Sequence, residues 1–418
     1  MRVYSGPAAR HPPPTTHNPM DIRSITLFTD WSQRPANLAS FLAAARHAFP
    51  FPVQSLRAAT PPFPGWFPAR QPDAAADFSR ELSIQAQAAG IDYLSLGPVQ
   101  LTHDETWLSL IPAIINSADN LFVTAEIADV NGRLATHRAF QLAHVIQQVS
   151  LLQANGFGNL YLAALAHCPP GSPFFPVAYH RGGPAHFAIA VESADLALTA
   201  VQQSRTLAEA RANLVAAIEE AARAISGPAS ALAQQFGVPF SGIDFSLAPF
   251  PTADKSLGGA LEALGLPHLG SAGSLFAAGF ITEAIDRAQF ARCGFSGLML
   301  PVLEDSVLAA RAAQGVLTVQ DLLSYAAVCG VGLDTIPLPG DVGADVLAGI
   351  LLDVAMLASR LRKPLTARLM PLPGLAAGDP VTFDFPYFAD SRVMAAGDAG
   401  PNGLLAQPAL LDIQAKNR

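Results

Sequence analysis

From residue 20 onward, short apolar runs the length of a strand alternate with stretches the length of a helix, and this alternation narrows the fold more than any single motif. Strands are expected at 25–28, 51–58, 93–96, 121–127, 159–165, 186–191, 243–247, 297–301, 334–338 and 366–370. Helices are expected between them at 36–49, 74–89, 104–116, 133–154, 194–204, 207–236, 256–264, 274–287, 305–313 and 341–361. Strands separated by helices of ten residues or more indicate parallel βαβ units, so the expected class is α/β. The Pro/Gly-rich stretch 168–184 is too long for a turn and is read as a long internal loop. The block 194–236 is read as a helix pair, packed on the sheet or at a homodimer interface.

Composition excludes several classes. Half the residues are hydrophobic and 14% are charged, the opposite of a disordered chain. The net charge is −8, and lysine occurs only at Lys255, Lys363 and Lys416, so no basic surface for nucleic acid can be assembled. The longest apolar stretch, 346–359, is interrupted by Asp353 and falls short of the roughly 20 residues of a membrane span. Cys168, Cys293 and Cys329 are odd in number and far apart, which suits reduced thiols in a cytoplasmic protein. The first 19 residues are Pro-rich and polar, and are expected to be a disordered tail or to precede a true start at Met20. Residues 20–418 are expected to form one domain.

Five segments carry a family resemblance: IRSITL (22–27), SPFFPVAYHRGG (172–183), GIDFSLAPFP (242–251) with the following Ser256, LPVLEDS (300–306) and CGVGLDTIPLPGD (329–341). In order and spacing the chain resembles domain-of-unknown-function family 711. The resemblance implies a single ten-stranded β/α barrel, related in shape to glycyl-radical enzymes such as pyruvate formate-lyase, and implies no known reaction. The chain departs from the family pattern in two places. Gly270-Ser271-Ala272-Gly273 stands where a His-Gly pair is expected, and the Gly-rich end is reduced to GPNGLLAQPAL. An RVSGY-type loop and adjacent cysteines are both missing from the sequence, so no glycyl radical is expected.

In a parallel barrel, polar groups just after the strand C-termini converge on one mouth. Those positions hold Asp30, Glu126, Asp129, His167, Glu192, Glu304 and Asp334, which reads as an acidic rim. Asp244 and Ser246 lie two apart in one strand and so share a face; they form either a ligand site or a pair satisfied by backbone amides. Asp305 opens a helix as an N-cap, while Glu304 is a candidate general base or cation ligand. Gly330 and Gly332 before Asp334 allow close backbone approach, to a ligand or to the neighbouring strand. His180 is a candidate acid/base group or a solvated loop histidine, and Arg181 beside it could clamp a carboxylate or phosphate. Gly273 and Ser274 open a helix, where amides cradle an anion or only form a cap. Two functions follow from these expectations. One is an enzyme acting on a small polar metabolite, with Asp244, Glu304 and His180 as its chemistry and a divalent cation on Asp244, Glu304 and Asp334. The other is a non-catalytic metabolite-binding or regulatory protein. GxSxG, P-loop, GxGxxG and HExxH patterns are missing, which removes the commonest hydrolase, kinase and dehydrogenase readings.

Overall fold

A computed structural model describes residues 20–416, so the leader 1–19 lies outside the described residues. The strands are β1 (Asp21–Phe28), β2 (Leu56–Ala59), β3 (Tyr93–Val99), β4 (Leu121–Ala128), β5 (Arg133–Ala135), β6 (Leu162–Ala166), β7 (His186–Glu192), β8 (Phe240–Ala248), β9 (Gly332–Pro339) and β10 (Leu365–Leu372). Nine of them form one mixed, mainly parallel sheet in the order β8-β7-β1-β2-β3-β4-β6-β10-β9. The hairpin strand β5 and the tail strand Leu410–Asp412 extend it beside β4. Most positions in these strands are buried on both faces, as expected of a sheet covered by helices.

Two junctions are antiparallel, β1 with β7 and β6 with β10. The sheet therefore consists of two parallel groups, β1-β2-β3-β4-β6 and β8-β7 with β9-β10, running in opposite directions. The expected strand at 297–301 is not a ladder. Residues 291–302 instead make isolated bridges to both ends of the sheet path. Cys293 N donates to Ile243 O at 3.1 Å and Met299 N to Ser246 O at 3.0 Å on the β8 side, while Val302 N donates to Asp334 O at 3.0 Å on the β9 side.

Helices α1 (Leu38–Ala45), α2 (Pro72–Ala88), α3 (Ile111–Ser117), α4 (Thr136–Ser150), α5 (Ala194–Gln202), α6 (Leu207–Phe236), α7 (Leu257–Ala263), α8 (Ser274–Arg287), α9 (Ser306–Ala313), α10 (Val319–Ala326) and α11 (Ala344–Leu361) follow the expected pattern with three departures. The expected helix at 133–154 begins with strand β5, that at 104–116 begins with a 3-10 helix over Glu105–Leu110, and α10 is not among the expected helices. The α10 start was nonetheless written in the chain: Thr318 and Asp321 form a reciprocal capping box. The expected helix pair is α5 and α6, packed on each other, with α6 also on α8 and β8. No helix among the described residues is long and apolar enough to cross a membrane.

The long loop 168–184 is not a surface loop. Much of it is buried against the strands, where Thr26 Oγ1 donates to Pro173 O at 2.8 Å and Ser95 Oγ to Ala178 O at 2.6 Å. Its Phe174, Val177 and Tyr179 form a buried cluster with Leu165, Ala190, Ala248 and Met299. Polar residues inside strands thus satisfy the loop's carbonyls, and its apolar side chains fill the space between the strands.

Candidate functional site

The main cleft encloses about 800 Å³, part of it open to solvent. Strands supply Arg23, Arg57, Tyr93, Phe122, Asp334 and Arg368; the inserted loop supplies Phe174 and Phe175; the segment after Met299 supplies Glu304; and the C-terminal region supplies Phe385 and Tyr387. Local irregularities aim the charged groups. The register between β1 and β7 shifts between Ile22 and Ser24, at Arg23, and that between β9 and β10 shifts between Ala367 and Leu369, at Arg368. Such bulges redirect a side chain that regular alternation would send elsewhere. Gly332 precedes the second shift with φ 101°, and a Cβ there would lie 2.3 Å from Thr366 O, so the glycine serves the neighbouring strand.

An ion network runs along the cleft wall. Arg23 donates to Glu304 and, at 3.4 Å, to Glu192. Arg368 donates from Nη2 to Glu304 Oε1 at 2.9 Å and from Nε to Asp334 Oδ1 at 2.6 Å. Behind it, buried Lys255 donates to Asp21 at 2.7 Å and to Glu192 at 3.3 Å. Burial pushes the Glu304 carboxyl up, but Arg23 and Arg368 outweigh it and hold the group below the usual carboxylate range. Asp334, with one arginine and the Glu304 charge nearby, is raised, chiefly by burial.

Arg57 stands apart. Its Nε donates to Ser55 Oγ at 2.8 Å, and its guanidinium lies over the rings of Phe175 at 5.1 Å and Tyr93 at 5.5 Å, with no carboxylate paired to it among the described residues. Burial, helped by the Arg23 charge, lowers its pKa to about 10, so it remains a cation at neutral pH. Burial also raises the phenols of Tyr93 and Tyr387, which keeps them protonated and able to donate.

The structure brings together only part of what the sequence suggested. Glu304 and Asp334 meet in this cleft, but they share Arg368 rather than an open position. Asp244 lies elsewhere: Phe295 N and Ser296 N each donate to it at 2.8 Å and Ser246 Oγ at 2.5 Å, so the amide-satisfied reading holds. No group of three or more His, Cys, Asp or Glu suited to a metal occurs among the described residues. His180 is buried rather than solvated, with Nε2 against Gly183 O at 3.2 Å and its ring 5.3 Å from that of His186. Neither His180 nor Arg181 lines the cleft. Gly273 and Ser274 open α8 away from it, Ser274 Oγ donating to Ser271 O at 2.8 Å. Asp305 is the expected N-cap of α9, accepting from Val307 N and Leu308 N.

The acidic-rim expectation fails because the two strand groups run in opposite directions. The cleft meets β1, β2 and β3 at or near their beginnings, while Glu304 lies beyond the 291–302 segment. Glu126, Asp129 and His167, at the ends of β4 and β6, make a separate cluster with Gln100, Leu101 and Arg133. The three arginines were missed. Their signal was present: Arg23 in DIRSITLF, Arg57 in SLRAA and Arg368 in LTARLM each put a guanidinium inside an apolar strand, a costly arrangement unless an anion, protein or ligand, sits beside it.

Residues 15–384 match the family described as "Uncharacterised ACR (DUF711)". Similar proteins include a UPF0210 protein of Pyrobaculum islandicum, 32% identical over 75% of this chain and 71% of its own length. Another, from Pelotomaculum thermopropionicum, is 29% identical over 74% of this chain and 72% of its own. A third, from Pyrobaculum arsenaticum, is 39% identical over 52% of this chain, and there the chain spans about half the relative's length (50%).

Proposed function

The chain belongs to the DUF711 family of uncharacterised proteins, and we propose that its cleft binds a small organic molecule whose anionic head is taken by Arg57. The observation that carries this reading is the guanidinium of Arg57, half-buried at the cleft wall without a carboxylate partner, while Arg23 and Arg368 beside it are both paired. A guanidinium fork matches a carboxylate or phosphate in two parallel hydrogen bonds, and a low-dielectric setting strengthens them. Phe122, Phe175 and Phe385 offer apolar surface to the rest of the molecule.

Binding without turnover is the primary reading. The serine lining the cleft, Ser55, donates to Arg23 O at 2.8 Å and accepts from Arg57, so its hydroxyl proton is held by a backbone carbonyl rather than a base. Catalysis is the second reading. Tyr93 and Tyr387 support it, because both line the same cleft and remain protonated, as proton donors to a bound anion require.

We also propose that the sheet closes as a ten-stranded barrel with 291–302 as the tenth strand, the shape implied by the family resemblance. Its bonds to both β8 and β9 support closure, as does the loop filling the space between the strands. The functional test is calorimetric titration with carboxylic acids and organic phosphates on the unaltered protein and on Arg57→Met. Saturable binding weakened about 10- to 100-fold by the substitution is expected. Equal binding by both proteins, or none by either, would overturn the reading.

A further inference from the structure

Resting on that reading, we infer that the ligand is an amino-acid zwitterion with an apolar body: Arg57 takes its carboxylate, Asp334 takes its ammonium, and the aromatic wall takes its side chain. Charge accounting leads there. The connected network holds the cations Arg23, Lys255 and Arg368 and the anions Asp21, Glu192, Glu304 and Asp334, which leaves one unbalanced negative charge. Arg57 makes no hydrogen bond into the network, although its charge reaches Glu304, and it carries one positive charge without a carboxylate bonded to it among the described residues. The two opposite excesses face the same cleft.

Two carboxylates of the network each leave one oxygen without a donor among the described residues, Asp21 and Asp334, and of these Asp334 lines the cleft. Its Oδ1 accepts from Arg368 Nε, while its Oδ2 accepts from no described residue. Both oxygens of Glu304 are taken, Oε1 by Arg368 and Oε2 by Arg23, and Glu192 accepts from Gln54 and Lys255 as well as Arg23. A plain anion would satisfy Arg57 and leave Asp334 half-partnered at a low-dielectric wall, whereas a plain cation would do the reverse. A zwitterion completes both and adds no net charge to the site. The rings of Phe122, Phe175 and Phe385 then favour an apolar body over a polar one.

The test uses the full chain and four probes: L-leucine, L-phenylalanine, 3-amino-3-phenylpropionate and 4-aminobutyrate. Each is compared with its deaminated acid and its amide by calorimetry and thermal shift. At least one amino acid is expected to bind, with removal of either charge weakening it about 10- to 100-fold. Asp334→Asn is expected to abolish the preference for the amino acid over the deaminated acid, and Arg57→Met the preference for the acid over the amide. Because Asp334 also holds Arg368, the ligand pairs on the unaltered protein decide the matter if that variant fails to fold. Deaminated acids binding as well as amino acids would overturn the zwitterion while leaving the anion site of Arg57 intact. Binding by none of the acids or amino acids would overturn both.

Discussion

Asp244 and Asp334 are both buried aspartates on strands at opposite ends of one sheet, yet their surroundings differ sharply. Asp244 is closed: two backbone amides and one hydroxyl donate to it, and Gly294 passes so near that a Cβ there would lie 2.0 Å from Oδ2. Asp334 is open: one oxygen is held by Arg368 and the other faces a cleft. A carboxylate whose acceptors are all used holds a turn in place, while one left half-used at a cavity wall is available to a ligand. Burial and residue type do not distinguish the two aspartates; an incomplete set of hydrogen bonds beside free space does.

The contrast breaks most visibly on stability. Asp244→Ala leaves two buried amides without acceptors and is expected to cost about 3–5 kcal/mol by urea unfolding, while whatever protein remains folded still responds to ligand through Arg57. The same residue gives the next largest effect through pH. Burial raises the Asp244 pKa to about 6, above its unfolded value, so its protonated form stabilises the fold. That contribution, about 3 kcal/mol, is complete below the unfolded pKa near 4 and is lost as pH rises through 6. Urea midpoints from pH 4 to 7 should fall less steeply in Asp244→Asn than in the unaltered protein, and identical slopes would contradict the assignment.

On the open side, Arg57→Met is expected to change stability by less than about 1 kcal/mol, since it breaks no ion pair and removes a half-buried cation, while weakening binding about 10- to 100-fold. A large loss of stability would mean that Arg57 holds the fold rather than a ligand. The smallest effect belongs to Ser274→Ala. Its hydroxyl serves the turn before α8 and the Tyr325 phenol, both away from the cleft, so unfolding should shift by about 0.5–1 kcal/mol and ligand affinity should stay the same.

Much of the fold was legible because periodicity and punctuation are local. The bounds of α6 and α8 coincide with the apolar pattern, and α6 ends at Gly237, which adopts the left-handed conformation that closes a helix. The strand expected at 297–301 forms no ladder: isolated bridges lie at Arg292 before it and at Pro301, its last residue, and Gly297 there passes close to Gly330. At the site, Glu304 and Asp334 were legible as polar residues beside strands. Their partners were not, because Arg23 and Arg368 stand 281 and 64 residues from Glu304 in the chain.

The sequence by itself determined the α/β class, the family and the cap at Asp305, because alternation, motif order and a cap are all read along the chain. Tertiary structure decided which end of each strand faces the cleft, through two antiparallel junctions that no local pattern announces. It also decided which charges are spent on one another. Hydrogen-bond partners are assigned in space, and only the assembled sheet leaves Arg57 and one oxygen of Asp334 over.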